Sequence, residues 1–324
     1  MPLLDEIPVQ SLAHVSSPLG LSHIRALDAH LFSTARSPSP QSPFNRGDVI
    51  EIQGASASGK THLLYYLLIV CVTPSGAAGG WAKAGIVFDM DHSFDIIRFK
   101  HLLTRRLTCL LGHSPSLIES IAQRSLHRLR IFRPTSSSQL AISLSRLASY
   151  HSSHLANEEI GMVAIDSMSA HYWPDRFVAE QMRTATPQHR KDANNYVSPL
   201  QHVLLQIESF RHTHGPLTVM TNWGLHPVNN STPVVYRQHL HPFPAPFSDS
   251  HAPASRQGPN VVPSIPGGNL LCLTCHVTLH QDTAEGDDGL ETKDGIIMGL
   301  IRSPGLSTVS KFSLRITDDD IVVD

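Results

Sequence analysis

From Gly47 to Asn222 the chain alternates two rhythms: short apolar runs without period, and longer stretches in which apolar residues recur every three or four positions. Val49-Ile50-Glu51-Ile52 is β-branched and alternating, as a strand is. The apolar run after Thr61 is long enough for a helix. Ala84 to Asp89 is a short apolar run that suits a buried parallel strand. Phe94 to Leu111 has Ile96, Ile97, Leu102, Leu103 and Leu107 at helical spacing. The spacing then predicts a strand over Arg128 to Phe132, a helix over Ser137 to Tyr150 and a strand over Gly161 to Asp166. A long polar segment, a helix over Val197 to Phe210 and a strand over Leu217 to Asn222 complete the series. Strand–helix alternation of this kind gives an α/β fold, a mainly parallel sheet flanked by helices.

Outside those limits the rhythm breaks. Residues 1 to 45 hold one predicted helix, Gly20 to Phe32, followed by the Ser/Pro stretch SPSPQSPF, which reads as a linker. So short a piece cannot bury a core alone. It packs on the main domain, docks on a partner or stays mobile, and a helix on a tether makes it a candidate docking arm. Residues 46 to 324 form the main domain. Within it, 224 to 268 are rich in Pro, His, Ser and Asn without sustained period, which predicts a disordered or functional loop. Asn269 to Leu279, Gly295 to Arg302 and Val309 to Ile316 then look like antiparallel strands, and an acidic stretch, Asp318 to Asp320, closes the chain.

One stretch carries chemistry outright. Gly54, Ala55, Ser56, Ala57, Ser58, Gly59, Lys60 and Thr61 match G-x-x-x-x-G-K-[ST], the phosphate-binding loop, and stand between a strand and a helix as that motif requires. Glycines let backbone N–H groups turn inward on an anion at the positive end of a helix. Lys60 then reaches the outer phosphates, and the Thr61 hydroxyl holds a magnesium ion. The expected ligands are ATP and Mg2+.

Composition narrows the rest. The 324 residues suffice for one large α/β domain, and 41% hydrophobic against 16% charged residues supports a sizeable core. A formal net charge of −2 gives no global basic field, so any DNA contact is local or supplied by a partner. Four cysteines are too few for a disulfide framework at this length, which predicts a reducing compartment. The first ten residues lack the basic start of a secretory signal, and the apolar run Leu63 to Val72 is too short to span a bilayer. We therefore expect a soluble intracellular protein without membrane contact.

Further candidates follow from position. Asp166 ends an apolar strand, where a metal-holding acid belongs at the carboxyl edge of an α/β sheet; a helix N-cap is the plainer alternative. Asp89 and Asp91 follow the second strand. Either could orient an attacking water, or both could serve turn chemistry. Cys272-Leu-Thr-Cys275-His276 matches a haem-attachment pattern and half a zinc site, but it lies in a strand-like run with no second cysteine pair. Buried strand cysteines are the simpler reading.

Taken in order, GDVIEIQGASASGKT, VFDMDHSFDIIRF, VAIDSMSAHYWPDR and TVMTNW resemble the RecA-type recombinase superfamily, and most of all its eukaryotic paralogues that serve double-strand-break repair. The resemblance runs from about Gly47 to the C-terminus and excludes the Pro/His loop. It implies a RecA-like ATP-binding core, with Gly54 to Thr61 around the triphosphate and Thr61 and Asp166 at the magnesium. Where active recombinases place a catalytic glutamate, this chain has Asp91, one methylene shorter. After the T-N of the fifth strand they carry a glutamine that senses the nucleotide; here Trp223 follows Asn222, and indole offers no amide for that switch.

Both departures point to weak or absent hydrolysis. The resemblance further implies a nuclear subunit of a heteromeric complex with another paralogue, assisting the main strand-exchange recombinase on single-stranded DNA during homologous-recombination repair. An active DNA-dependent ATPase is the alternative. A small-molecule kinase fits less well, because no Arg-rich lid follows Asp166.

Overall fold

A computed structural model of the chain describes residues 17–34, 42–112, 114–184, 199–224, 273–281, 296–304 and 306–324. Nine strands form one sheet in the order β3-β2-β4-β5-β1-β6-β7-β8-β9. They are β1 (Val49–Gly54), β2 (Ala84–Asp89), β3 (Leu129–Phe132), β4 (Ile160–Asp166), β5 (Leu217–Trp223), β6 (Cys275–Gln281), β7 (Ile296–Arg302), β8 (Ser310–Ile316) and β9 (Ile321–Val323). The first six are parallel to one another. From β6 onward each pairing is antiparallel. The chain thus has the RecA-like α/β class expected of it. One detail differs: β6 is antiparallel only to β7, and on its other side it runs parallel to β1. The acidic stretch Asp318 to Asp320 is a turn into a ninth strand, too short for its period to register in the sequence.

Helices cover both faces. On one lie α1 (Arg25–Ser33), α2 (Lys60–Val72), α3 (Ile96–Leu111) and α4 (Pro115–His127). On the other lie α5 (Ser137–Ser145), α6 (Leu147–His154) and α8 (Pro199–His214). Between β4 and α8 runs α7 (Tyr172–Thr184), within the segment whose polarity hid a helix. Arg146 divides the predicted helix over Ser137 to Tyr150 into α5 and α6. The α4 helix was missed, although Ser114 precedes Pro115 at its first turn and Ile118, Ile121 and Ala122 make its buried stripe.

Every residue of α2 from Leu63 to Val72 is buried, so this helix is wrapped on all sides, and that explains its apolar run without implying a membrane. Among the described residues no helix is long and apolar enough to cross a bilayer. The α1 segment is pinned to the same body. Leu19, Ile24, Leu27 and Leu31 are buried, and burying such side chains is worth about 1.5–3 kcal/mol each. Asp28 accepts hydrogen bonds from Ser22 and His23. His30 bridges Ser310 (2.9 Å) and Ser303 (3.1 Å). The apolar face that suggested a docking helix is therefore spent inside the chain, leaving Leu21 and Phe32 as its exposed apolar residues.

Candidate functional site

Parallel order places the carboxyl ends of β1, β4 and β5 side by side, and the candidate residues stand there. The backbone turns from β1 into α2 through Gly54 to Thr61. At Gly59 φ is +81°, the left-handed region that glycine enters without strain, and its missing side chain matters too. A Cβ there would come within 2.7 Å of Ile297 and 2.9 Å of Ile316, so β7 and β8 form one wall of the loop. At Gly54 a Cβ would lie 2.3 Å from Ser58 Oγ. That hydroxyl is buried inside the turn and has no hydrogen-bond partner among the described residues.

Lys60 Nζ donates to the carbonyls of Gly54 (3.0 Å) and Ala55 (2.6 Å), which folds the ammonium back across the loop. Burial lowers its pKa, and the carboxylates of Asp166 and Asp91 oppose that shift. Thr61 Oγ1 donates to Asp166 Oδ2 at 2.8 Å, so the first helical hydroxyl and the acid ending β4 meet at one point. Asp166 Oδ1 accepts a second, short hydrogen bond from Thr221 of β5. Burial raises the Asp166 pKa, the two hydroxyls lower it, and Asp91 and Asp89 raise it again. Sequence reasoning singled out the T-N pair of β5 for its asparagine and passed over Thr221.

This donor set suits a magnesium-bound triphosphate. An ammonium, a strand-to-helix turn and a hydroxyl–carboxylate pair offer a phosphate cradle and hard oxygen ligands. The carboxylate, crowded by two further acids in a buried place, is one that a cation would relieve.

The remaining candidates separate. Asp89 is fully buried, ion-pairs with Arg133 at 3.1 Å and accepts from the Phe94 backbone, so it braces the turn after β2. Asp91 is exposed and accepts from the Ser93 backbone at 3.2 Å, a turn contact. It lies within electrostatic reach of Lys60 and Asp166 without bonding to either. Trp223 is in register with Gly54, and its backbone N–H donates to Ser169 Oγ.

The Asn222 side chain joins a buried polar group on the sheet face opposite α2. Asn222 Nδ2 donates to Glu51 Oε1 at 2.6 Å, and His276 Nε2 stands 3.4 Å from Glu51 Oε2 and 3.1 Å from Gln53 Oε1. Arg302 donates to His276 Nδ1 at 3.0 Å, which leaves the proton of the neutral ring on Nε2. Burial and the Arg302 cation hold the imidazole pKa well below its usual value. Cys275 is buried in β6 with its thiol pushed up to about 12 by burial; Cys272 and most of the Pro/His loop lie outside the described residues. Among the described residues no group of three or more His, Cys, Asp or Glu is arranged to hold a metal.

No family model matches the chain. Individual proteins do. The chain is 30% identical over 157 residues to the DNA repair protein XRCC2 of Mus musculus, covering 48% of this chain and 50% of the mouse protein. It is 23% identical over 207 residues to the DNA repair protein XRCC2 homolog of Arabidopsis thaliana, covering 55% of each. The chain spans about half the length of the curated relatives it matches.

Proposed function

We propose that this chain, XRCC2-like in sequence and RecA-like in fold, is a DNA repair protein that binds ATP and Mg2+ through residues 54–61 and Asp166. The observation that carries the nucleotide reading is the 2.8 Å contact between Thr61 and Asp166 beside the inward-folded Lys60. Bound MgATP would supply negative phosphates and a hard cation. Lys60 would leave its loop carbonyls for the outer phosphates, Thr61 would turn its hydroxyl to the cation, and Asp166 would hold the cation's water shell.

The same reading makes the chain a nuclear subunit of a heteromeric complex with another recombinase paralogue. That complex would assist the main recombinase on single-stranded DNA in homologous-recombination repair. Residues 46–324 act as the ATP-binding domain, and residues 1–45, whose α1 packs on that domain, act as the partner-docking segment through what α1 leaves exposed, Leu21 and Phe32 included. The alternative, an active DNA-dependent ATPase, is disfavoured by Asp91, whose short side chain is exposed and engaged with its own turn. Equilibrium binding of a fluorescent ATP analogue by the full chain tests the first claim: saturable, magnesium-dependent binding that Lys60→Ala removes is expected, and equal binding by the variant would refute it. Turnover measured with and without oligonucleotide and partner decides between scaffold and ATPase. DNA-stimulated turnover that Lys60→Ala abolishes would establish the ATPase.

A further inference from the structure

Asp166 has two carboxylate oxygens, and the fold fixes each with a different hydroxyl. Oδ2 accepts from Thr61 at the start of α2, and Oδ1 accepts a short hydrogen bond from Thr221 near the end of β5. The two donors are not equivalent. Thr61 belongs to the phosphate loop, and its hydroxyl must leave Oδ2 to turn to a cation. Thr221 belongs to the sheet. It stands in register with Ile52 of β1, it is fully buried, and Asp166 is the one acceptor of its hydroxyl among the described residues.

Strand alternation accounts for the meeting. Leu217 and Val219 of β5, and Met162 and Ala164 of β4, belong to the core on the α2 face, so Thr221 and Asp166 continue those rows on that face. The β4–β5 ladder runs to Ile165 opposite Met220, which brings the next residue of each strand side by side. Both backbones are held as well. The Thr221 carbonyl accepts from the Met168 N–H at 3.0 Å, and the Asp166 carbonyl accepts from the Met90 N–H at 2.6 Å. A β-branched side chain has few χ1 choices, so the sheet sets the direction of the Thr221 hydroxyl. An aspartate carboxylate turns about a broad, two-fold torsion and depends on its donors to hold its plane.

We infer that Thr221 is a positioning residue for the cation: its hydroxyl holds Oδ1 against the sheet, so that Oδ2 alone faces the place where the Thr61 hydroxyl and magnesium would meet. The inference rests on the reading of residues 54–61 and Asp166 as a site for ATP and Mg2+, and it adds to that site a residue 55 positions from Asp166 in the chain. Magnesium demands near-octahedral geometry, keeps several waters and takes few protein oxygens. One aimed oxygen suits that shell, whereas a carboxylate free to turn offers either oxygen or both. Partners that orient a metal-facing group are worth about 10- to 100-fold in metal affinity.

Binding of a fluorescent ATP analogue by the full chain, in saturating MgCl2 and in EDTA, tests this on two variants. Thr221→Val keeps the shape and loses the hydroxyl; Thr221→Ser keeps the hydroxyl. The gain in affinity that magnesium gives is expected to fall about 10- to 100-fold in Thr221→Val, with affinity in EDTA unchanged, and Thr221→Ser is expected to recover most of it. Equal losses in MgCl2 and in EDTA would overturn the proposal, because the hydroxyl would then hold the loop and not the acid's aim. So would a magnesium gain in Thr221→Val as large as the parent's, or a Thr221→Ser variant as impaired as Thr221→Val. Melting without nucleotide gives a second readout. Thr221→Val should cost less in an Asp166→Ala background than in the parent, and an equal cost would show that the hydroxyl does not act through Asp166. Lys60→Ala on the same plates keeps the two readings apart. Magnesium-dependent binding that needs Lys60 but is indifferent to Thr221→Val removes this inference and keeps the nucleotide site; parent binding that neither magnesium nor Lys60 affects removes both.

Discussion

Asn222 donates from Nδ2 to Glu51 Oε1 at 2.6 Å, joining the end of β5 to the strand that leads into the phosphate loop. Glu51 is fully buried, so its carboxylate depends on the partners it has. Removing a donor from a buried charge costs about 1–3 kcal/mol or more. Asn222→Ala is therefore expected to lower stability by about 2 kcal/mol in urea unfolding, and Asn222→Asp to lower it more by placing two carboxylates together. An Asn222→Asp variant as stable as the parent would show that Glu51 does not need this amide.

Lys60→Ala removes the one ammonium in the loop and leaves the helix intact. Losing a charge-assisted contact worth about 1.5–3 kcal/mol should weaken ATP-analogue binding about 10- to 100-fold, with little change in melting temperature of the ligand-free chain.

Asp166 gives a stability change of opposite sign. Its folded pKa is raised, so its contribution is complete below the free carboxylate's 3.8 and is lost as pH rises through the folded value. Well above pH 3.8 the ligand-free chain is therefore less stable for burying this group. Asp166→Asn is expected to raise the melting temperature at pH 7 by about 2–4 °C per kcal/mol relieved. The gain should shrink toward pH 4, and MgATP should no longer stabilise the variant. Calorimetry across pH checks all three.

His276 titrates the other way. Its folded pKa lies well below 6.5, so its contribution is complete above pH 6.5 and is lost as pH falls toward the folded value. The groups facing it are Glu51, Gln53, Thr278 and Arg302. Between pH 6.5 and 5.5 the parent should lose up to about 1.4 kcal/mol more stability than His276→Gln. Equal slopes in the two proteins would mean that the imidazole is not held neutral.

The parallel core was legible because its strands are short apolar runs bounded by breakers, and the phosphate loop because its residues are contiguous. What sequence did not reveal depends on distance in the chain. Thr221 bonds to Asp166 from 55 positions away, and Asp89 and Asp91 differ because the fold buries the first beside Arg133 and leaves the second exposed. The α7 helix was hidden by its polar and exposed surface, with Trp173 and Phe177 facing solvent. At α1 the helical period was legible, but the destination of its apolar stripe was not, and the burial of Leu27 and Leu31 in the main core supplies it.

The wall that Ile297, Leu314 and Ile316 raise against Gly59 gives the last tenth of the chain a part in the first motif. A stop codon just after Gln281 would leave every residue of the phosphate loop encoded while removing what the loop leans on, and would unpair His30 from both of its serines. Such a truncated product should be degraded as an unfolded protein rather than persist as a weak binder. Late truncations and a substitution at Gly59 would then share one outcome in the cell, loss of the protein, for different physical reasons.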